Sequence, residues 1–358
     1  MTNQVLSSNV IRTTRTALGG STAMARQRRR VLLIGVLCAA ALAVLTTIAL
    51  TTGEVAMSAP TALRAVIGLG DQGDVYIVQE FRAPRVVAGL IAGAGLAVAG
   101  AVLQRLFRNP LASPDVMGVT GGASFGSVLV LALGAGQTLI PLGALGGGLL
   151  AAVLLGTLGW RSGLSVTRLV LVGLAVQAGL AAAVNLMVVR FPRELAGQAM
   201  QWTTGSLYGR TWLEVEGAAI ASALVLVVLF LRYRTLEVLD LGDDSAGTLG
   251  ISVSGARLTL LLTTVALAAL AAALTGPVSF VALAVPHLVR LLAGRPTVGT
   301  MAVTGLAGAT LLVGCDLIVQ HVLPINGLPV GVVTATVGAP WLLILMLRES
   351  SPVQRRTA

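Results

Sequence analysis

The side chains that could do chemistry are few, and their spacing suits almost none of it. His287 and His321 lie in separate apolar runs with no carboxylate or thiol at ligand spacing, so no metal site is expected. All 24 basic residues are arginine. A chain without lysine has no P-loop for nucleotide phosphates, no Schiff base and no lysine general base. Neither a Gly-x-Ser-x-Gly elbow nor a His-Glu-x-x-His helix is present, so no catalytic residue is assigned. Cys38 and Cys315 fall inside apolar runs and read as small buried hydrophobes. Asp316 is the one acid deep in such a run, which in lipid marks a functional candidate.

Two polar clusters remain. In the connection spanning residues 232–257, residues 236–251 read as two short helices around a glycine turn. Asp243 and Asp244 stand at the start of the second, where carboxylates favour the helix dipole. A solvated loop is one reading. Leu241, Ala246, Leu249 and Ile251 are apolar where solvation gives no reason for it, so an interface with a cytoplasmic partner is the other. The second cluster is Arg82-Ala83-Pro84-Arg85. Its guanidinium groups suit either snorkelling anchors or receivers of a soluble partner's carboxylates, and the residues alone leave both open.

The elements that must carry these groups are membrane helices. The chain has 358 residues, 56% hydrophobic and 11% charged, outside the range of soluble domains. Apolar runs of a length able to cross a bilayer as helix are expected at residues 31–52, 86–107, 116–133, 139–160, 169–189, 213–231, 256–274, 278–292, 301–323 and 330–347. The eighth is short and holds Pro286, which predicts a tilted, broken or re-entrant element. Residues 1–30 form a basic lead expected to lack fixed structure, 31–348 the transmembrane domain, and 349–358 a tail. The run after Arg28-Arg29-Arg30 is longer than a signal core and reads as a retained first helix.

With both ends of the chain inside, 18 arginines fall in inner segments and six outside (Arg64, Arg82, Arg85, Arg190, Arg193 and Arg210), the bias that orients membrane proteins. The net charge of +10 is therefore a topology signal, not a nucleic-acid footprint. Glycines four apart, as at Gly122/Gly126 and Gly143/Gly147, suit close helix packing in lipid. Proline pairs at Asn109-Pro110 and Gly276-Pro277 interrupt the pattern at matching places in two oppositely directed halves, a hint of an inverted repeat.

Ordered motifs across most of the chain carry a family resemblance. They are Arg82-Ala83-Pro84-Arg85, Gly100-Ala101-Val102-Leu103-Gln104, Phe107-Arg108-Asn109-Pro110-Leu111-Ala112, Trp202, Gly205-Ser206-Leu207, Trp212, Gly276-Pro277-Val278, Val285-Pro286-His287, and Leu328-Pro329-Val330-Gly331 continuing to Gly338-Ala339-Pro340. The chain resembles the FecCD-type permeases, membrane subunits of type II ABC importers for iron chelates and cobalamin. The resemblance implies an all-α fold of about ten transmembrane helices in a bacterial cytoplasmic membrane. It also implies a second permease subunit, identical or not, two ATPases that hold the Mg-ATP, an extracytoplasmic binding protein, and no cofactor on this chain.

By the same resemblance, Leu241, Gly242, Asp243, Asp244, Ala246, Leu249, Gly250 and Ile251 would contact the ATPase, and Arg82 and Arg85 would dock the binding protein. Asn109, Leu111, Ser165 and Thr167 would lie at the cytoplasmic gate. The chain departs from the family pattern at Gln320, where an arginine is common, and at Gly327, where a glutamate is common. One docking contact is then missing or supplied by another subunit. The rival readings are an ion-coupled secondary carrier of a small solute, which would work without an ATPase, and a membrane-embedded enzyme, which would need ionisable groups clustered at one depth.

Overall fold

A backbone in hydrocarbon must satisfy its own N–H and C=O groups, and an apolar run solves this by coiling into helix. The computed structural model describes residues 2–159, 166–322 and 328–349, with side chains from residue 24 to residue 344 apart from residues 159–167 and 323–327. Among the described residues no strand occurs. The elements are α1 (Thr2–Thr51), α2 (Ala59–Val66), α3 (Gln72–Tyr76), a π-helical turn Ile77–Arg82, α4 (Ala83–Leu106), α5 (Val119–Ala132), α6 (Ile140–Gly159), α7 (Val166–Arg190) and α8 (Arg193–Thr204). There follow α9 (Trp212–Leu231), α10 (Tyr233–Asp240), α11 (Asp243–Thr248), α12 (Val253–Thr275), α13 (Val281–Ala293), α14 (Val298–His321) and α15 (Val330–Glu349).

Among the described residues seven helices are long and apolar enough to cross a membrane, and α5, α13 and the apolar part of α15 are three shorter ones. These ten coincide with the ten apolar runs read from the sequence. The chain is a multi-pass membrane protein. Local signals fix several ends: Pro84 opens α4, Thr211 and Glu214 form a capping box on α9, and Gly276 in a left-handed conformation closes α12.

One boundary departs from expectation. The helical backbone of α1 starts at Thr2, well before the apolar run, in the lead whose composition suggested no fixed structure. That lead contains no proline, and a helix already nucleated in the membrane extends at small cost until something breaks it.

α4 and α12 are the most enclosed spans, whereas α1, α7 and α9 turn leucines such as Leu37, Leu171 and Leu224 outward, as lipid permits. α5 and α6 touch backbone to backbone: a Cβ on Gly122, Gly126, Gly143 or Gly147 would overlap a facing main-chain or side-chain atom. The glycine spacing predicted this packing.

The spans alternate between two faces. At one face Gln27 donates to the Arg295 carbonyl, Arg105 meets Asp240, and Arg257 meets Asp243. At the other, Trp212 donates to the Gln79 carbonyl, Thr52 meets His321, and the Ser206 N–H reaches the Thr275 carbonyl. The first is the arginine-rich face of the sequence count. α5 with 14 residues and α13 with 13 cover only about 20 Å, short of the roughly 30 Å hydrocarbon core. The connections that precede them come close at Asp115 and Phe280. Pro286 lies inside α13 as the sequence placed it.

Candidate functional site

The two polar clusters occupy opposite ends of α4. At the arginine-rich end, α10 and α11 form a short helical unit hung between α4 and α12. α10 is amphipathic and buries Tyr233, Leu236 and Leu239, and α11 buries Ala246. Leu241 and Leu249 are left 65% and 63% exposed, an apolar pair facing away from the protein on a water-side unit. Asp243 and Asp244 open α11, and Gly242 supplies the positive φ that turns the chain between the two helices. Gly250 has the same sign of φ, and the Ile251 N–H returns to the Ala246 carbonyl to close the unit.

Three arginines hold this unit. The Arg105 Nε and Nη2 both donate to Asp240 Oδ2, at 3.1 and 2.6 Å, while the guanidinium lies 5.1 Å from the Tyr233 ring centroid. Arg108 Nη2 donates to the Leu239 carbonyl at 2.7 Å, adding to the Gly242 N–H that the same oxygen accepts at the end of α10. Arg257 Nη2 reaches Asp243 Oδ1 at 2.7 Å. In the sequence Arg105 and Arg257 registered only as topology markers, and Arg108 also as part of a family motif. Their surplus beside the sole acidic stretch of an inner connection was the available signal.

Asn109 and Leu111 follow directly from Arg108, and the Asn109 Oδ1 accepts the Leu111 N–H at 2.9 Å in a local turn. They thus adjoin the α10 end that Arg108 caps. Ser165 and Gly327 lie outside the described residues, and Thr167 is placed only as backbone in the first turn of α7.

At the opposite end Arg82 and Arg85 have different partners. Arg82 Nη1 donates to the Leu50 carbonyl at 2.6 Å and Nη2 to that of Val55, both neutral acceptors, and the Asp74 carboxylate acts on its charge from nearby. Arg85 grips both oxygens of Asp316 on α14, at 2.9 and 2.8 Å, and Gln320 donates to the same carboxylate at 2.7 Å. The departure at position 320 is therefore an added donor to Asp316. His321 pairs with Thr52, and Arg290 Nη2 lies 3.0 Å from His287 Nδ1, so the two histidines stay at separate places.

The sequence pattern of the FecCD transport family matches residues 14–348. The chain is 38% identical over 323 residues to the ferric enterobactin transport system permease protein FepG of Escherichia coli (strain K12), covering 90% of this chain and 98% of that one. It is 34% identical over 327 residues to the Fe(3+)-citrate import system permease protein YfmE of Bacillus subtilis (strain 168), covering 91% and 98%. A solved metal-chelate type ABC transporter in an inward-facing conformation superposes with a TM-score of 0.79 at 26% identity, over 88% of this chain and 99% of the other. The helical architecture is thus the type II importer permease fold, and the chain belongs to the FecCD transport family of permeases.

Proposed function

We propose that this chain is the membrane subunit of a bacterial ATP-driven importer that passes a ferric siderophore or similar chelate across the cytoplasmic membrane. The single observation that carries the reading is the α10–α11 unit, whose Leu241 and Leu249 face outward while its flanks are pinned to α4 and α12. Exposed leucines on a water-side helix pair are a cost unless a partner covers them. A cytoplasmic ATPase dimer carrying Mg-ATP is that partner, and a second permease subunit completes the path. The arginine-rich face is then cytoplasmic, with both ends of the chain on that side. Cargo enters wrapped in its chelator, so the path needs no cage of metal ligands.

Replacing Asp243, Asp244 and Leu249 together by alanine is expected to lower copurification of the ATPase by about tenfold or more, as loss of an interface anchor does, with membrane insertion intact. Unchanged copurification would remove the assignment of this unit. At the outer face Arg82, whose hydrogen bonds go to main-chain carbonyls, offers its charge to carboxylates of the binding protein. Arg82→Glu should weaken docking several-fold at low salt, roughly, with the difference shrinking once salt shortens the Debye length. A salt-independent effect would point to lost packing instead. Arg85 belongs to the same docking proposal, with Asp316 as its competitor.

The ion-coupled alternative would lean on Asp316, the acid deep in a span. Its carboxylate is engaged by Arg85 and Gln320, which disfavours its use as an ion site. Reconstituted uptake that persists without the ATPase would reverse this preference.

A further inference from the structure

We propose that Arg105 is a positioning residue that makes α10 and α4 move as one body, so that α4 is the shaft carrying motion from the ATPase side to the outer face. The proposal rests on the ATPase-docking reading of the α10–α11 unit and adds the route by which docking is felt.

The unit has two attachments, and they are unequal. On the α12 side the Arg257 and Asp243 side chains of the ion pair are 21% and 51% exposed, beside the packing of the buried Ala246. Pairs this open to solvent hold weakly. On the α4 side the Arg105 and Asp240 side chains are 10% and 37% exposed, and Arg105 places two N–H groups on one Asp240 oxygen. Its guanidinium also stacks on Tyr233, which is itself buried at the start of α10. One arginine therefore holds α10 at both its first and its last residue. Arg108 adds the third point by capping the Leu239 carbonyl. It does so from a left-handed conformation, φ 47°, that a non-glycine residue adopts only at a cost and that the surrounding contacts must offset. α11 runs through a short link into α12 and moves with that helix, while α10 is held to α4 at three points.

α4 is built to pass a displacement of α10 on. It is buried along most of its length, and at Gly93 and Gly100 its backbone lies against the backbones of α14 and α13 with no side chain between. Its far end is clamped to α14 through Arg85 and Asp316. Closely packed helices shift as units instead of deforming.

The test uses the full permease with its ATPase in lipid vesicles. Spin labels at Phe81→Cys, by the outer end of α4, and Val189→Cys, by the outer end of α7, are read in a Cys38→Ala, Cys315→Ala background. Both labelled positions are exposed, and α7 packs on α5 and α6. Nucleotide addition should change the label distance by about 2 Å or more, the scale of helix shifts in such transitions. Arg105→Met should cut that change to about a third or less while ATPase copurification is kept. The exchanged pair Arg105→Asp with Asp240→Arg should restore more than about half of it. The proposal is overturned if the parent shows no nucleotide-dependent change, if Arg105→Met keeps the full change or loses copurification, or if the exchanged pair fails to restore it. Failure of the docking reading is seen separately, as a parent protein that does not retain the ATPase at all.

Discussion

Asp316→Ala is expected to be among the most damaging single substitutions in the chain, costing about 3–5 kcal/mol of stability. The carboxylate is 8% exposed and the Arg85 side chain 19%, and Arg85 donates to both carboxylate oxygens. Removing one partner strands a guanidinium in a low-dielectric setting, where desolvation is no longer offset. Gln320 cannot compensate, because its amide N–H donates to the same lost carboxylate. The double variant Arg85→Met, Asp316→Leu should recover most of the loss, since buried pairs replaced by apolar groups of similar volume are often nearly neutral. Unfolding by denaturant in mild detergent, run as a double-mutant cycle, measures this. Additive single effects would mean that the two groups do not sense each other.

Gly100→Ala should be nearly as severe. A Cβ at this position would overlap the Ala282 carbonyl oxygen, with the rest of the Ala282 backbone close behind it. No flexible side chain is present to move aside, so either α4 or α13 must shift. Overpacking of this kind costs about 3 kcal/mol at the upper end of its usual range. Gly146→Ala on α6 is the matched control, because a Cβ there meets nothing within 4 Å. It should be neutral or gain up to about 1 kcal/mol from helix propensity. Equal thermal midpoints for the two variants would show that α4 and α13 are not in backbone contact.

The arrangement of spans was legible before any coordinates. Each apolar run reports its own transfer to lipid, a property summed over neighbours in sequence, so all ten runs appear as helices at the expected places. The outward-facing leucines of the α10–α11 unit were also readable, since Leu241 and Leu249 break the polar pattern of their own segment. The lead before Arg26 was not. Composition speaks to whether a segment can bury a core, and it is silent on whether a neighbouring helix will simply continue into it.

The polar pairings were beyond reach for a different reason. Arg85 and Asp316 are 231 residues apart, and Arg105 and Asp240 are 135. From the residues alone Arg85 was as good a docking group as Arg82, and Asp316 was an acid without a counterion. Which arginine is left to offer its charge to a partner, and which is paired with a carboxylate within the chain, is decided by the helix that happens to lie beside it.

By itself, then, the sequence determined that this chain lives in lipid, how often it crosses, which face collects the arginines, and, through its ordered motifs, its family. Only the tertiary structure decided what each charge does. Hydrophobicity is additive along the chain and can be summed without knowing the fold. The energy of a charge depends on the distance to its nearest opposite and on the solvent left around it, and both are set by the register and depth at which separate helices pack.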